Sequence, residues 1–266
     1  MTEETTDPRF SEMTDSQLAV EIAQRAATRL LELRSEHSSA DGAELKRIGD
    51  EGAQALIASI LESARPEDAV LSEEAKDSSA RLTAPRVWII DPLDGTREYS
   101  EGRDDWAVHV ALVVDGELAL GAVALGGPEV VLSSQDTPSE HVVGDPWRIA
   151  VSRSRPPAIV AELGRLTGAE FVPMGSAGVK VCAVVRGDVD AYVHGGGQFE
   201  WDSAAPVAVA RAAGLHTSRL DGSALEYNRP DPYLPDLIVC KPQIADRIQS
   251  LVDSILNASS EGEAIT

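Results

Sequence analysis

The 266-residue sequence predicts an α/β (α+β) chain made of two unlike halves. Residues 1–147 read as a helix pair followed by an antiparallel sheet, and residues 148–266 as a mixed α/β half. Three observations predict this. Apolar residues recur at helical intervals before Pro66, two apolar runs flank Asp115-Gly116 as in a hairpin, and short strand-like and helix-like runs alternate after residue 148.

The first ten or so residues and the tail after Leu256 are polar and aperiodic, so both are expected to fray. Thr14-Asp15-Ser16-Gln17 has capping-box spacing, and Leu18, Ile22, Ala26, Leu30 and Leu33 follow on one helical face. A second helix is expected to begin near Asp50, bury Ala53, Leu56, Ile57, Ile60 and Leu61, and end before Pro66. Arg86-Val87-Trp88-Ile89-Ile90 suits a buried strand. Trp106 to Val114 and Glu117 to Leu125 read as paired strands, with Val130 to Ser133 as a third. After a polar stretch, Arg148 to Ser152 suits a strand and Pro156-Pro157 a helix start. Ser176 to Arg186, Trp201 to Ala213 and Gln243 to Leu256 suit helices, and Val189 to Val193 and Leu237 to Cys240 strands.

The formal charge is −21, from 23 Lys+Arg against 44 Asp+Glu. A protein wrapping polymeric nucleic acid needs a basic footprint to neutralise phosphates, so that class is excluded. A small phosphorylated ligand needs only a local patch or a metal ion. The acidic start Met1-Thr2-Glu3-Glu4 is unlike a secretory leader, and the apolar stretch Leu118 to Pro128 is too short to span a bilayer. The expectation is a cytoplasmic protein without a membrane partner. Cys182 and Cys240 lack CxxC spacing and are expected to be reduced core residues.

The informative segment is Trp88-Ile89-Ile90-Asp91-Pro92-Leu93-Asp94-Gly95-Thr96. Pro92 stops the strand and Gly95 permits backbone geometry closed to other residues, so the chain turns and brings Asp91 and Asp94 together. Adjacent carboxylates repel unless a proton or cation lies between them, and Mg²⁺ suits an all-oxygen site best. Glu73-Glu74 follows an apolar run 18 residues upstream of Asp91, and Asp202 opens a small-residue helix where an N-cap would sit.

These three elements together resemble the signature of the inositol monophosphatase superfamily, in matching order over roughly residues 15–255. Within it, Arg97-Glu98-Tyr99, Val151-Ser152-Arg153-Ser154 and Met174-Gly175-Ser176 with Lys180 resemble the CysQ-type 3′-phosphoadenosine 5′-phosphate phosphatases. The resemblance implies a layered αβαβα sandwich and a Mg²⁺-dependent, lithium-sensitive phosphatase using two or three ions. The substrate implied is 3′-phosphoadenosine 5′-phosphate, converted to AMP and phosphate in sulfur assimilation, with the sulfated nucleotide as a further substrate. Carried over residue by residue, it implies metal ligation by Glu73, Asp91, Asp94, Asp202 and the Leu93 carbonyl. Asp50, Glu73 and Thr96 would carry catalysis. Glu73, Leu93, Asp94, Gly95, Thr96, Arg97, Ser176, Lys180 and Asp202 would contact substrate. Lys46, Arg153 and Arg155 are further cations near the motifs, and His194-Gly195-Gly196-Gly197-Gln198 reads equally as a close-approach loop beside the ligand or as a plain strand-to-helix connection.

Asp50 is open between a catalytic role and a plain helix cap, because the lead-in Leu45-Lys46-Arg47-Ile48-Gly49 departs from the family's usual loop. Inositol monophosphate and fructose bisphosphate are alternative substrates, and monomer and homodimer are both open. A haloacid-dehalogenase phosphatase carries a D-x-D-G-T motif, but its acids are two apart and near the chain start, and Glu73 and Asp202 have no place in it. A chain that binds metal and nucleotide without turnover is the non-enzymatic alternative.

Overall fold

The structure is a computed structural model and describes residues 8–136, 141–154 and 157–263. Residues 1–7 of the expected frayed start lie outside this range, as do Arg155 and Pro156. In chain order the elements begin with α1 (Arg9–Glu12), α2 (Asp15–Glu36), α3 (Gly42–Ala64), β1 (Ala69–Ser72) and β2 (Arg86–Asp94). There follow α4 (Thr96–Ser100), β3 (Ala107–Val114), β4 (Glu117–Leu125), β5 (Val131–Ser133), β6 (Arg148–Ser152), α5 (Ala158–Thr167) and β7 (Glu170–Met174). Next come α6 (Ala177–Val185), β8 (Ala191–His194), β9 (Gln198–Phe199), α7 (Glu200–Ala212) and β10 (His216–Ser218). The chain closes with β11 (Tyr233–Leu234), β12 (Leu237–Cys240) and α8 (Ala245–Glu263). Among the described residues, helix extends into both segments expected to fray: Phe10 of α1 is buried, and α8 runs on past Leu256.

The α2 capping box forms as its spacing predicts. Gln17 N–H donates to the Thr14 hydroxyl at 3.3 Å, and the Gln17 amide oxygen accepts from Thr14 N–H at 3.0 Å. Helix α3 starts earlier than expected, at Gly42, with Asp41 accepting from Ala43 and Glu44 N–H. Asp50 is therefore a mid-helix residue and caps nothing. Glycines inside a helix read as breakers, but here they are contact points: a Cβ on Gly49 would lie 2.9 Å from Tyr99 and one on Gly52 2.4 Å from Leu33.

The first sheet has the order β1-β2-β3-β4-β5, with β1 parallel to β2 and the rest antiparallel. Trp88, Ile90, Val108, Val110 and Leu112 face α2 and α3, while Val87, Ile89, Ala111 and Val113 face α6 and α7. Both faces are covered, which is why β2 reads as continuous apolar sequence rather than alternation. The second sheet, β10-β12-β8-β6-β7, lies across α6 and α7, and α5 and α8 cover its far side through Val160, Leu163, Ile248 and Val252. The result is an αβαβα sandwich. Strands β9 and β11 form a separate two-stranded ribbon leading into α7.

Small residues let α7 approach the first sheet closely. A Cβ on Gly121 of β4 would lie 2.5 Å from the Ala205 carbonyl oxygen. The connection between the sheets is pinned by a buried ion pair: Lys241 Nζ donates to Asp190 Oδ1 at 2.6 Å and to the Val142 carbonyl at 2.5 Å. Asp190 also accepts from Gly144 and Arg148 N–H. Cys182 and Cys240 are both free and buried. Among the described residues no helix is long and apolar enough to cross a membrane.

Candidate active site

Asp91 and Asp94 sit at the end of β2, where the pairing with β3 shifts register between them. Asp91 Oδ1 accepts from Leu93 N–H at 3.0 Å, a local turn that fixes one oxygen and leaves the other pointing away. Gly95 follows with φ of 89°, and a Cβ there would meet Trp106 Cα at 3.2 Å and Ser176 Cβ at 3.3 Å. The glycine is needed for both its conformation and the space. Thr96 then opens the short helix α4.

Asp94 reaches across to the head of α6. Its Oδ2 accepts from the Ser176 hydroxyl at 2.5 Å and from Gly178 N–H at 2.7 Å. Asp202 is the third residue of α7, not its N-cap; its Oδ2 reaches back to Phe199 N–H at 2.6 Å. Glu73 directly follows β1, and its N–H donates to the Ile90 carbonyl at 3.3 Å, which places it beside the end of β2. Asp91 is fully buried and Asp94 nearly so.

Comparison with known proteins now bears on this cluster. The inositol monophosphatase family profile matches residues 11–129 and 130–257. The chain belongs to the inositol monophosphatase family. It is 50% identical over 259 residues to the 3′-phosphoadenosine 5′-phosphate phosphatase of Mycobacterium leprae, covering 92% of this chain and 96% of that one. It is 31% identical over 198 residues to the 3′(2′),5′-bisphosphate nucleotidase CysQ of Escherichia coli, covering 70% and 80%. Among solved structures, CysQ from Bacteroides thetaiotaomicron superposes with a TM-score of 0.72 at 26% identity, covering 85% of this chain and 97% of that one. The αβαβα sandwich that the motifs imply is therefore the family's fold.

Whether the inositol monophosphatase family's metal suits this chain is answered by the acids themselves. Burial, then the charges of Asp94, Glu73 and Asp202, push the Asp91 carboxyl well above its usual range. Burial and then Glu74 and Asp94 raise Glu73 to about 7. Burial and then Asp94 raise Asp202 to about 7, and burial with Glu74 does the same to Asp50. Asp91 Oδ2 is buried with no hydrogen-bond partner. An acidic cluster that resists ionisation, with one oxygen orphaned, suits a hard cation. Asp91, Asp94 and His109 present donor atoms within 4.8 Å of one another.

The other expected contacts divide. Lys180 is buried, and its ammonium donates to the carbonyls of Gly175 at 2.5 Å and Ser176 at 2.8 Å, so it staples the turn that presents Ser176. The Ser176 hydroxyl also accepts from Val179 N–H at 3.0 Å, capping α6. Arg97 is exposed and pairs with Glu101 at 2.8 Å. Arg153 pairs with Glu98 at 3.2 Å and with Asp105, whose carboxylate accepts from Gly175 N–H at 2.7 Å. These cations thus hold the loops around the acids. His194 Nε2 lies 3.1 Å from the Gly197 carbonyl, which closes the glycine loop on itself.

His109 and Gly178 escaped the sequence reading. His109 pairs in register with Asp91 across β2 and β3 and is fully buried. A lone polar residue in the apolar run Ala107 to Val114 was its available signal.

Proposed function

We propose that this chain is a Mg²⁺-dependent phosphatase that hydrolyses the 3′-phosphate of 3′-phosphoadenosine 5′-phosphate, giving AMP and phosphate. The observation that carries the reading is the buried acid cluster with Asp91 Oδ2 left unpartnered, on a chain half identical to a 3′-phosphoadenosine 5′-phosphate phosphatase along nearly its whole length. A cluster of acids repels a phosphate ester until cations reverse its sign, so substrate binding and metal binding are one problem.

We assign Glu73, Asp91, Asp94, Asp202 and the Leu93 carbonyl to holding two or three ions. Bound divalent cations supply positive charge to the phosphate oxygens and acidify the attacking water. The residues of the chain do the positioning. Asp94 is oriented by Ser176 and Gly178, Asp91 by its own turn, and Asp202 by Phe199 N–H. Gly95 and Thr96 are assigned to the phosphate oxygens through backbone N–H groups. The Thr96 hydroxyl, with Asp50 in the facing helix α3, is assigned to orienting the water. Residues 1–147 thereby supply most metal ligands and residues 148–266 the substrate side, with Asp202 reaching between them.

The test is phosphate release from a panel of 3′-phosphoadenosine 5′-phosphate, inositol 1-phosphate and fructose 1,6-bisphosphate, with Mg²⁺ and with or without Li⁺. The nucleotide should be preferred, with Li⁺ inhibiting. A clear preference for inositol phosphate sinks the substrate assignment and spares the chemistry. Nucleotide binding without release on Mg²⁺ addition sinks the enzymatic reading altogether.

A further inference from the structure

Asp94 has two oxygens with different tasks. Oδ2 is turned inward and takes the Ser176 hydroxyl and Gly178 N–H. Among the described residues no hydrogen-bond donor reaches Oδ1, so that oxygen is the one left for a cation. The carboxylate does its work only if it stays in this orientation.

A third group faces Oδ2. His109 Nε2 lies 3.3 Å from it, fully buried and with no hydrogen-bond partner elsewhere. The ring is held from its other end, where Nδ1 lies 3.0 Å from the Trp201 carbonyl. A carbonyl only accepts, so Nδ1 carries the hydrogen of the neutral ring; Nε2 is then a lone pair packed against Oδ2 and donates nothing to it. Trp201 immediately precedes Asp202, and the imidazole therefore spans from the first turn of α7 to the end of β2. It touches both segments that bring carboxylates to the site.

Space around the ring is matched as closely as its contacts. A Cβ on Gly178 would lie 2.0 Å from His109 Nε2 and 2.9 Å from Cε1. Any other residue at 178 drives the imidazole away or lifts the head of α6, and the Gly178 N–H contact to Asp94 goes with it. The glycine exists in this helix because the histidine occupies the position its side chain would fill.

We propose that His109, seated on Gly178 and hydrogen-bonded to the Trp201 carbonyl, is a positioning residue that holds the head of α6, whose Ser176 and Gly178 donors orient Asp94, in place against the α7 turn carrying Asp202. It acts through the two segments it packs against, not by a hydrogen bond to the carboxylate. The proposal rests on the metal-dependent reading above. Partners of this kind, one step removed from the ion, set its affinity more than the stability of the fold.

The experiment is Mg²⁺ binding by isothermal titration calorimetry on the full chain, without substrate, alongside thermal melting. His109→Leu should weaken Mg²⁺ binding about 10- to 100-fold, the range seen when such a partner is lost. His109→Gln reaches past the Nδ1 position, loses the Trp201 hydrogen bond and should resemble the leucine variant. His109→Asn places an amide donor near the Nδ1 position, facing the Trp201 carbonyl, and should stay within about threefold of the wild type. Neither amide titrates, so the series reads position rather than charge. Gly178→Ala keeps the histidine and displaces it, and should show the same loss even where His109→Leu folds poorly. Near-wild-type Mg²⁺ affinity in folded Gly178→Ala or His109→Leu, or an asparagine variant as weak as leucine, overturns the proposal. Wild-type protein that binds no Mg²⁺ overturns the phosphatase reading as well; wild-type binding with unaffected variants overturns this role alone.

Discussion

Asp94→Asn replaces one carboxylate oxygen with an NH₂ group at nearly constant volume. The remaining amide oxygen can still accept from Ser176 and Gly178, so the head of α6 keeps its partner. The NH₂ then takes the outward position, where it presents hydrogens to a cation. The charge removed is one that raises Asp91, Glu73 and Asp202. Asp202 is shifted from 3.8 to about 7 by burial first and by Asp94 next. At about 1.4 kcal/mol per unit, ionised Asp202 costs on the order of 4 kcal/mol in the metal-free protein. Burial is the first cause and Asp94 the next, so removing the Asp94 charge relieves part of that cost. Metal-free Asp94→Asn should therefore melt at or slightly above the wild type. Mg²⁺ at one hundred times its Kd stabilises the wild type by about 2.7 kcal/mol, or about 5–11 °C. The variant should show neither that rise nor phosphate release. Melting curves with and without Mg²⁺, paired with a phosphate assay, decide it. A variant that keeps the Mg²⁺-induced rise or near-normal turnover refutes the assignment of Asp94.

Three further outcomes follow from named contacts. Asp50, Glu73 and Asp202 each titrate at about 7 when folded, above the ordinary carboxylate range. The folded state therefore holds more protons than the unfolded one between about pH 4 and 7, and metal-free stability falls as pH rises through that window. Because Mg²⁺ replaces those protons, its effect on melting should be larger at pH 8 than at pH 5; equal effects would count against the cluster. Lys241→Met leaves buried Asp190 without its ammonium and should cost about 3–5 kcal/mol in urea unfolding, while a change under 1 kcal/mol would mean the pair is dispensable. Gly121→Ala drives a methyl into the Ala205 backbone and should cost about 1–3 kcal/mol and weaken Mg²⁺ binding as α7 shifts. An unchanged melting temperature would show that the layers have slack.

Much of the fold was legible because its signals are local. The Thr14–Gln17 capping box and the Asp115-Gly116 turn formed where their spacing put them; both turn residues have positive φ, as a tight hairpin turn demands. The start of α3 was not legible. Gly49 and Gly52 carry the marks of breakers, and only the nearness of Tyr99 and Leu33 makes them helix-compatible contact points. The ribbon of β9 and β11 escaped for a related reason: two-residue strands have no period, and their pairing joins residues more than thirty positions apart.

The acids of the site divide along the same line. The run from Asp91 to Thr96, with Glu73 and Asp202, was readable as a metal-binding signature, because a proline, a glycine and two acids at the end of an apolar strand constrain the backbone over a few residues. The sequence by itself determined which side chains carry charge to the site and that the chain turns there. Tertiary structure alone decided which oxygen of each carboxylate faces inward, since Ser176 and Gly178 come from elements far from Asp94 in the chain. It also decided that Lys180 and Arg153 hold loops in place. Orientation and burial arise from packing between layers, and no local spacing encodes them.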